Sequence, residues 1–186
     1  MPETRGPVLA LLRGINVGGR SMLSMSELRA ALDAAGLPGA RTHLQSGNLL
    51  VTPAAGKVRG LAGTIRDVIK GDFGLDIQVL LRTRPELDEI VARNPMTGPE
   101  ATGSKVHVVF LASTPEAKRV DDLDPDRSPP DRFVVAEREI YVHYPNGSGR
   151  SKLSLDYFEK RLGVVGTARN WNTVTRLLEM LDESPE

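Results

Sequence analysis

Apolar and polar residues follow two periods along this chain, and the switches between them mark out its elements. The first apolar run, Pro7 to Leu12, is short and unbroken, as a buried strand is, and it ends at Arg13-Gly14. Met25, Leu28, Leu32 and Ala35 then recur at helical spacing, and Gly36-Leu37-Pro38-Gly39 supplies a glycine stop with proline beyond it. Arg41 to Gln45 and Leu49 to Thr52 read as the strands of a hairpin that turns at Ser46-Gly47-Asn48. Val58, Leu61, Ala62, Ile65, Val68 and Ile69 form the clearest amphipathic stripe. A strand over Asp76 to Leu81 and a helix over Glu86 to Ala92, ending at Asn94-Pro95, complete the first half.

The second half repeats that order. Lys105 to Leu111 is a β-branched strand, and Pro115 to Leu123 a short helix opened by Thr114. Asp124 to Asp131 is a Pro/Asp-rich loop, and Phe133 to Ala136 with Ile140 to Tyr144 form another hairpin. Leu153 to Leu162 reads as a helix and Val164 to Ala168 as a strand, and Trp171, Val174, Leu177, Leu178 and Leu181 give the stripe of a last helix. Each half therefore reads βαββαβ with a helix appended. The expected fold is α+β: two tandem ferredoxin-like units, each an antiparallel sheet with helices on one face. The repeat lies in element order, not in residue identity. Thr97 to Ser104, broken by Gly98, Pro99 and Gly103, is the expected joint, which sets the units at 1–98 and 99–186. So short a linker predicts that the second packs closely on the first.

Composition narrows the chemistry. The 186 residues include no cysteine, which removes disulfides, thiol nucleophiles, Cys-ligated zinc and iron–sulfur clusters. With 24 Lys and Arg against 24 Asp and Glu, the chain is not a bulk nucleic-acid coat. No apolar run approaches the roughly 18–20 residues of a membrane span, and the N-terminal Met-Pro-Glu-Thr-Arg lacks a signal-peptide pattern. The expected setting is cytoplasmic, without a membrane partner.

Four stretches differ from the scaffold around them. In Arg13-Gly14-Ile15-Asn16-Val17-Gly18-Gly19-Arg20-Ser21, the glycines allow successive amides to converge on an anion, and Arg13 and Arg20 add charge. The spacing nearly matches a phosphate loop, but arginine stands where that loop has lysine, and no apolar strand ends in a magnesium-holding Asp. In Gln45-Ser46-Gly47-Asn48 the amides offer donors and acceptors at a hairpin tip, although ordinary turn chemistry also accounts for them. Pro145 to Lys152 places Arg150, Ser151 and Lys152 just before a helix. Cations oppose the dipole there, so they are either solvated or held for an anion. In Thr167 to Thr173, Asn170 or Asn172 can cap the last helix and Trp171 falls on its apolar stripe, which leaves Arg169 for a planar or phosphorylated ligand. His43, His107 and His143 lie alone on separate strands, without metal-ligand spacing. Nothing in the sequence calls for a metal or a cofactor.

The wording Leu11-Leu12-Arg13-Gly14-Ile15-Asn16-Val17-Gly18-Gly19, Met25-x-x-Leu28, Gln45-Ser46-Gly47-Asn48, Gly149-Arg150-Ser151-Lys152-Leu153 and Thr167 to Val174 resembles the bacterial domain-of-unknown-function 1697 family. The resemblance implies an α+β fold of ferredoxin-like units and no particular activity. This chain departs from the family's usual residues in having Arg20 for Lys, Ser21 for Asn, Ser24 for Pro and His43 for Tyr.

Three functions remain. The first is a binding protein for a phosphorylated ligand between the two halves, either a nucleotide-like small molecule or a nucleic acid; the small molecule fits better, since the strands lack the clustered aromatics of an RNA-binding sheet. The second is a transferase acting on a phosphorylated substrate, against which counts the absence of acidic residues in all four stretches. The third is a structural or interaction module, in which Arg13, Arg150 and Arg169 pair internally. The windows 13–20, 41–48, 145–152 and 164–172 hold six Lys or Arg and no Asp or Glu, so the neutral total conceals a cationic site. Oligomeric state is not encoded legibly.

Overall fold

The computed structural model describes residues 6–16, 21–53 and 58–183. Its elements are β1 (Val8–Leu12), α1 (Met25–Ala34), β2 (Arg41–His43), β3 (Asn48–Val51), α2 (Leu61–Phe73), β4 (Val79–Arg82) and α3 (Arg84–Ala92). There follow β5 (Val106–Leu111), α4 (Ala117–Asp121), β6 (Arg132–Ala136), β7 (Glu139–His143), α5 (Leu155–Leu162), β8 (Gly166–Asn170) and α6 (Trp171–Asp182), with a 3₁₀ turn at Ser148–Arg150. The fold is α+β, with two four-stranded antiparallel sheets ordered β2-β3-β1-β4 and β6-β7-β5-β8. Two compact units divide the chain: one runs to Asp88 and takes in the residues from Leu177 onward, and the other is Glu89–Arg176. No helix among the described residues is long and apolar enough to cross a membrane.

Local chemistry explains the helix ends. Ser24 caps α1 by accepting from the Glu27 amide at 3.4 Å, and Gly36, at φ 82°, lets the chain leave it. Ser154 does the same for α5, accepting from the Tyr157 amide, and Gly163 closes that helix at φ 69°. Asn170 caps α6 through the Thr173 amide at 2.9 Å.

In the first unit, Val8, Ala10 and Leu12 of β1 join Leu49 and Val51 against Leu28 and Leu32 of α1 and Ile65 and Ile69 of α2. In the second, Val109, Leu111, Ile140 and Val142 pack with Phe158 and Leu162 of α5, and Phe133 meets Phe158 edge-on at 5.4 Å. The opposite sheet faces are buried as well: Leu9, Leu11, Leu50 and Arg82 in one, Val106, Val108, Phe110, Tyr141 and Arg169 in the other. Burial on both faces is why β1 reads as a continuous apolar run instead of an alternating one.

Several boundaries differ from the sequence pattern, those of β4, α4 and β8 among them. β4 starts at Val79, not Asp76, because the Asp76 carboxylate is tied to α2 by Arg66 at 2.7 Å and Lys70 at 3.4 Å. α4 is confined to Ala117–Asp121, with Glu116 at its cap position in place of Thr114. β8 runs on to Asn170, whose partner is His107, so the strand passes into α6 without a loop.

Candidate functional site

The first two stretches of interest meet at one end of the first sheet, where the loop after β1 lies beside the β2–β3 turn. Asn16, at φ 52°, donates to the Leu23 carbonyl at 2.9 Å and the Gln45 carbonyl at 2.7 Å, and its Oδ1 accepts from the Leu23 amide at 2.8 Å. Its amide thus stitches three segments together. Asn48 is fully buried and donates to the His43 carbonyl at 2.8 Å and to the Ser46 hydroxyl at 3.1 Å. Gly47 is held at φ 77°, and a methyl group there would come within 2.7 Å of Leu12 Cβ. The Arg13 amide donates to the Gln78 carbonyl at 3.0 Å. The Gln45 side chain is exposed. Gly18, Gly19 and Arg20 lie outside the described residues.

The other two stretches leave the second sheet at its common end, since His143 of β7 pairs with Val106 and Asn170 of β8 with His107. They go to opposite faces. Ala168 packs toward α5, so Arg169, its neighbour on the strand, points to the other side. There Arg169 is only 8% exposed and donates to the Thr167 hydroxyl at 2.8 Å and the Ala168 carbonyl at 2.7 Å. Burial lowers its pKa to about 10, because desolvation penalises the charged form. Asn172 lies against Gly103, where an added methyl would come within 1.7 Å of its Oδ1.

Arg150 and Lys152 remain in the open, with Ser151 half-buried between them, beside the loop that precedes β6. Ser151 donates to Ser128 at 3.5 Å, Ser128 donates to the Asp131 carboxylate at 2.8 Å, and the Lys152 amide donates to Ser128 at 3.1 Å. A cavity of about 620 Å³ is lined there by Ser128, Asp131, Gly147, Gly149, Arg150 and Ser151. A second, of about 610 Å³, is lined by Asp124, Arg127, Lys152, Ser154, Tyr157 and Arg161, with Asp156 and Lys160. Within the second, Arg127 lies 4.2 Å from the Tyr157 ring centre and donates to the Lys152 carbonyl at 3.2 Å. Arg161 donates to the Asp122 carbonyl, and Lys160 pairs with Asp156 at 2.8 Å. Among the described residues, the side chains of Arg150 and Lys152 have no carboxylate or carbonyl partner.

Arg127, Tyr157, Lys160 and Arg161 escaped the sequence reading. Lys160 and Arg161 stand in the last turn of α5, where cations suit the dipole and draw no notice, and Arg127 is masked by the acids around it. The buried Arg82, 1% exposed on β4, has no local signal either. His107 sits edge-on to Tyr144 at 5.1 Å, and burial lowers its pKa. Among the described residues, no group of three His, Cys, Asp or Glu side chains is arranged to hold a metal ion.

Residues 6–141 match the family model described as "Protein of unknown function (DUF1697)". The chain belongs to this family. The match takes in the first two stretches and ends before Arg150, so the last two lie outside it. The structure of the conserved bacterial protein SP0830 from Streptococcus pneumoniae is similar over 96% of this chain and 99% of that one, with a TM-score of 0.73 and 18% identity. That likeness is one of fold. No curated protein matches the chain.

Proposed function

We propose that this DUF1697 protein binds a phosphorylated small molecule in the cationic groove of its second unit, along α5. The observation that carries the reading is Lys152: its ammonium stands unpartnered among the described residues, in a cavity shared with Arg127, Arg161 and the Ser154 hydroxyl. Arg127 is already oriented by the Lys152 carbonyl and the Tyr157 ring, so little side-chain entropy is lost when its planar fork engages a phosphate. Four cations against two carboxylates leave the lining net positive.

In this reading each unit is a ferredoxin-like βαββαβ module followed by a helix, a pattern supported by the matching strand orders β2-β3-β1-β4 and β6-β7-β5-β8. Asn16, Asn48, Arg169 and Asn170 serve the scaffold, which accounts for their bonds to backbone. Phosphorylated metabolites are cytoplasmic, and the reading puts the protein with them.

The test is a panel of inorganic pyrophosphate, sugar phosphates and nucleotides, followed by thermal shift and calorimetry. A true ligand at about 100 times its Kd raises stability by about 2.7 kcal/mol. Lys152→Ala, an exposed change, should weaken that ligand at least tenfold without moving the melting temperature of the free protein. No stabilisation by any phosphorylated compound refutes the reading.

A further inference from the structure

In the first unit a cavity of about 880 Å³ lies between the segment that enters α1, the first turn of that helix and the β2–β3 turn. Three observations converge on it. Asn16, Ser21 and Leu44 have positive φ (52°, 49° and 58°); outside them only Glu137 does so among the described non-glycine residues. Leu44 is the costly one, because a bulky side chain in the left-handed region is disfavoured unless something compensates for it. Met22 and Leu44, 70% and 57% exposed, are the two most exposed large apolar side chains described, and both line this cavity. The Gln45 amide and the Glu27 carboxylate also line it, and among the described residues neither side chain has a partner. Leu44 thus takes a strained conformation to hold an apolar side chain in water beside two unspent polar groups.

We propose that this cavity, with Met22, Glu27, Arg29, Leu44 and Gln45 in its lining, binds an adenine-type nucleoside. The volume lies within the range of small-molecule sites. Met22 and Leu44 supply flexible apolar surface for the faces of a flat ring. A glutamine amide presents one donor and one acceptor, the complement of the N6 and N7 edge of adenine. A free carboxylate accepts the hydroxyls of a ribose, as acidic residues do in dinucleotide sites. Arg29 is anchored by donating to the Thr42 hydroxyl at 2.6 Å, which keeps a cation beside the ligand without committing its whole fork. This inference does not depend on the α5 groove, because the probe carries no phosphate.

Calorimetric titration with adenosine tests it, on the full chain and on three variants. Adenosine should bind the wild-type protein. Gln45→Ala should weaken it at least tenfold, and guanosine, which shows two acceptors on the same edge, should bind at least tenfold more weakly than adenosine. Leu44→Gly should keep or raise the melting temperature, since glycine accepts the backbone at no steric cost, while adenosine affinity falls at least tenfold. Lys152→Ala should leave adenosine binding unchanged. Gln45 is exposed, so its variant reports even if Leu44→Gly misfolds. The proposal is overturned by absence of adenosine binding at millimolar concentration, by wild-type affinity in Gln45→Ala, or by a loss in Lys152→Ala equal to that in Gln45→Ala. The last result would move the nucleoside to the α5 groove and leave the phosphate reading standing.

Discussion

Arg169 and Lys152 belong to the same unit and follow the same pattern in sequence, a cation set among glycines, amides and hydroxyls. Their surroundings are opposite. Arg169 lies on a buried sheet face, spends its guanidinium on Thr167 and Ala168, and pays for desolvation with a lowered pKa. Lys152 stands on a loop whose backbone is bonded to Ser128 and Arg127 while its ammonium is left over. A cation in a string of polar residues is therefore ambiguous until its strand or loop position is known. On a strand buried on both faces it is an anchor, whereas on a loop held by its backbone it is free to meet a ligand.

The contrast breaks most visibly at Arg169. Arg169→Ala should cost about 3 kcal/mol in urea denaturation, since it empties a buried site and strips donors from the Thr167 hydroxyl and Ala168 carbonyl. A loss below about 1 kcal/mol would put Arg169 among the open cations. Asn48→Ala should cost about 2 kcal/mol, because Asn48 is fully buried and the His43 carbonyl loses a donor.

Alkaline pH sharpens the comparison. Tyr141 donates to the Ile90 carbonyl and Tyr144 to the Leu153 carbonyl, and burial raises both phenols, Tyr141 to about 12. An unfolded tyrosine ionises near pH 10, so above that the folded state holds the extra protons and stability falls as pH rises toward 12. Arg169 works against this, because burial puts its folded pKa, about 10, below that of an unfolded arginine, so over that window the unfolded state holds the extra proton. Between pH 10 and 12 the wild-type protein should therefore lose stability. Tyr141→Phe should flatten the loss, and Arg169→Met should steepen it; an Arg169→Met slope equal to wild type would mean the guanidinium keeps its charge throughout.

The smallest expected effect is that of Lys152→Ala on the free protein, within about 0.5 kcal/mol of wild type. A larger destabilisation would show that Lys152 has a structural partner after all.

Most of the architecture was legible because helix stripes and stops are local. Met25, Leu28 and Leu32 with Gly36, or Phe158 and Leu162 with Gly163, need no knowledge of the rest of the chain. What escaped depends on distant residues. Asp76 reads as a strand residue until Arg66 and Lys70 claim it, and β8 extends to Asn170 only because His107 is there to pair with it. The site divides in the same way. Asn170 as the cap of α6 could be read from spacing alone. The roles of Asn16 and Arg169 could not, since the first is decided by Leu23 and Gln45 and the second by which face of β8 is buried. Arg127 and Tyr157 come together only through the fold.

The strand order carries a consequence for how the protein is made. β1 occupies the interior of its sheet, between β3 and β4, and precedes both of them in the chain. Val8-Leu9-Ala10-Leu11-Leu12 must therefore wait, apolar and unpaired, until Asn48 to Val51 have left the ribosome, and its other edge stays open until β4 follows. β5 repeats the situation in the second unit. At translation rates of about 5–20 residues per second these intervals last seconds, long enough for a sticky strand to find a wrong neighbour. The nascent chain is therefore most exposed to aggregation, and most in need of a holding chaperone, just after each unit's first strand has emerged.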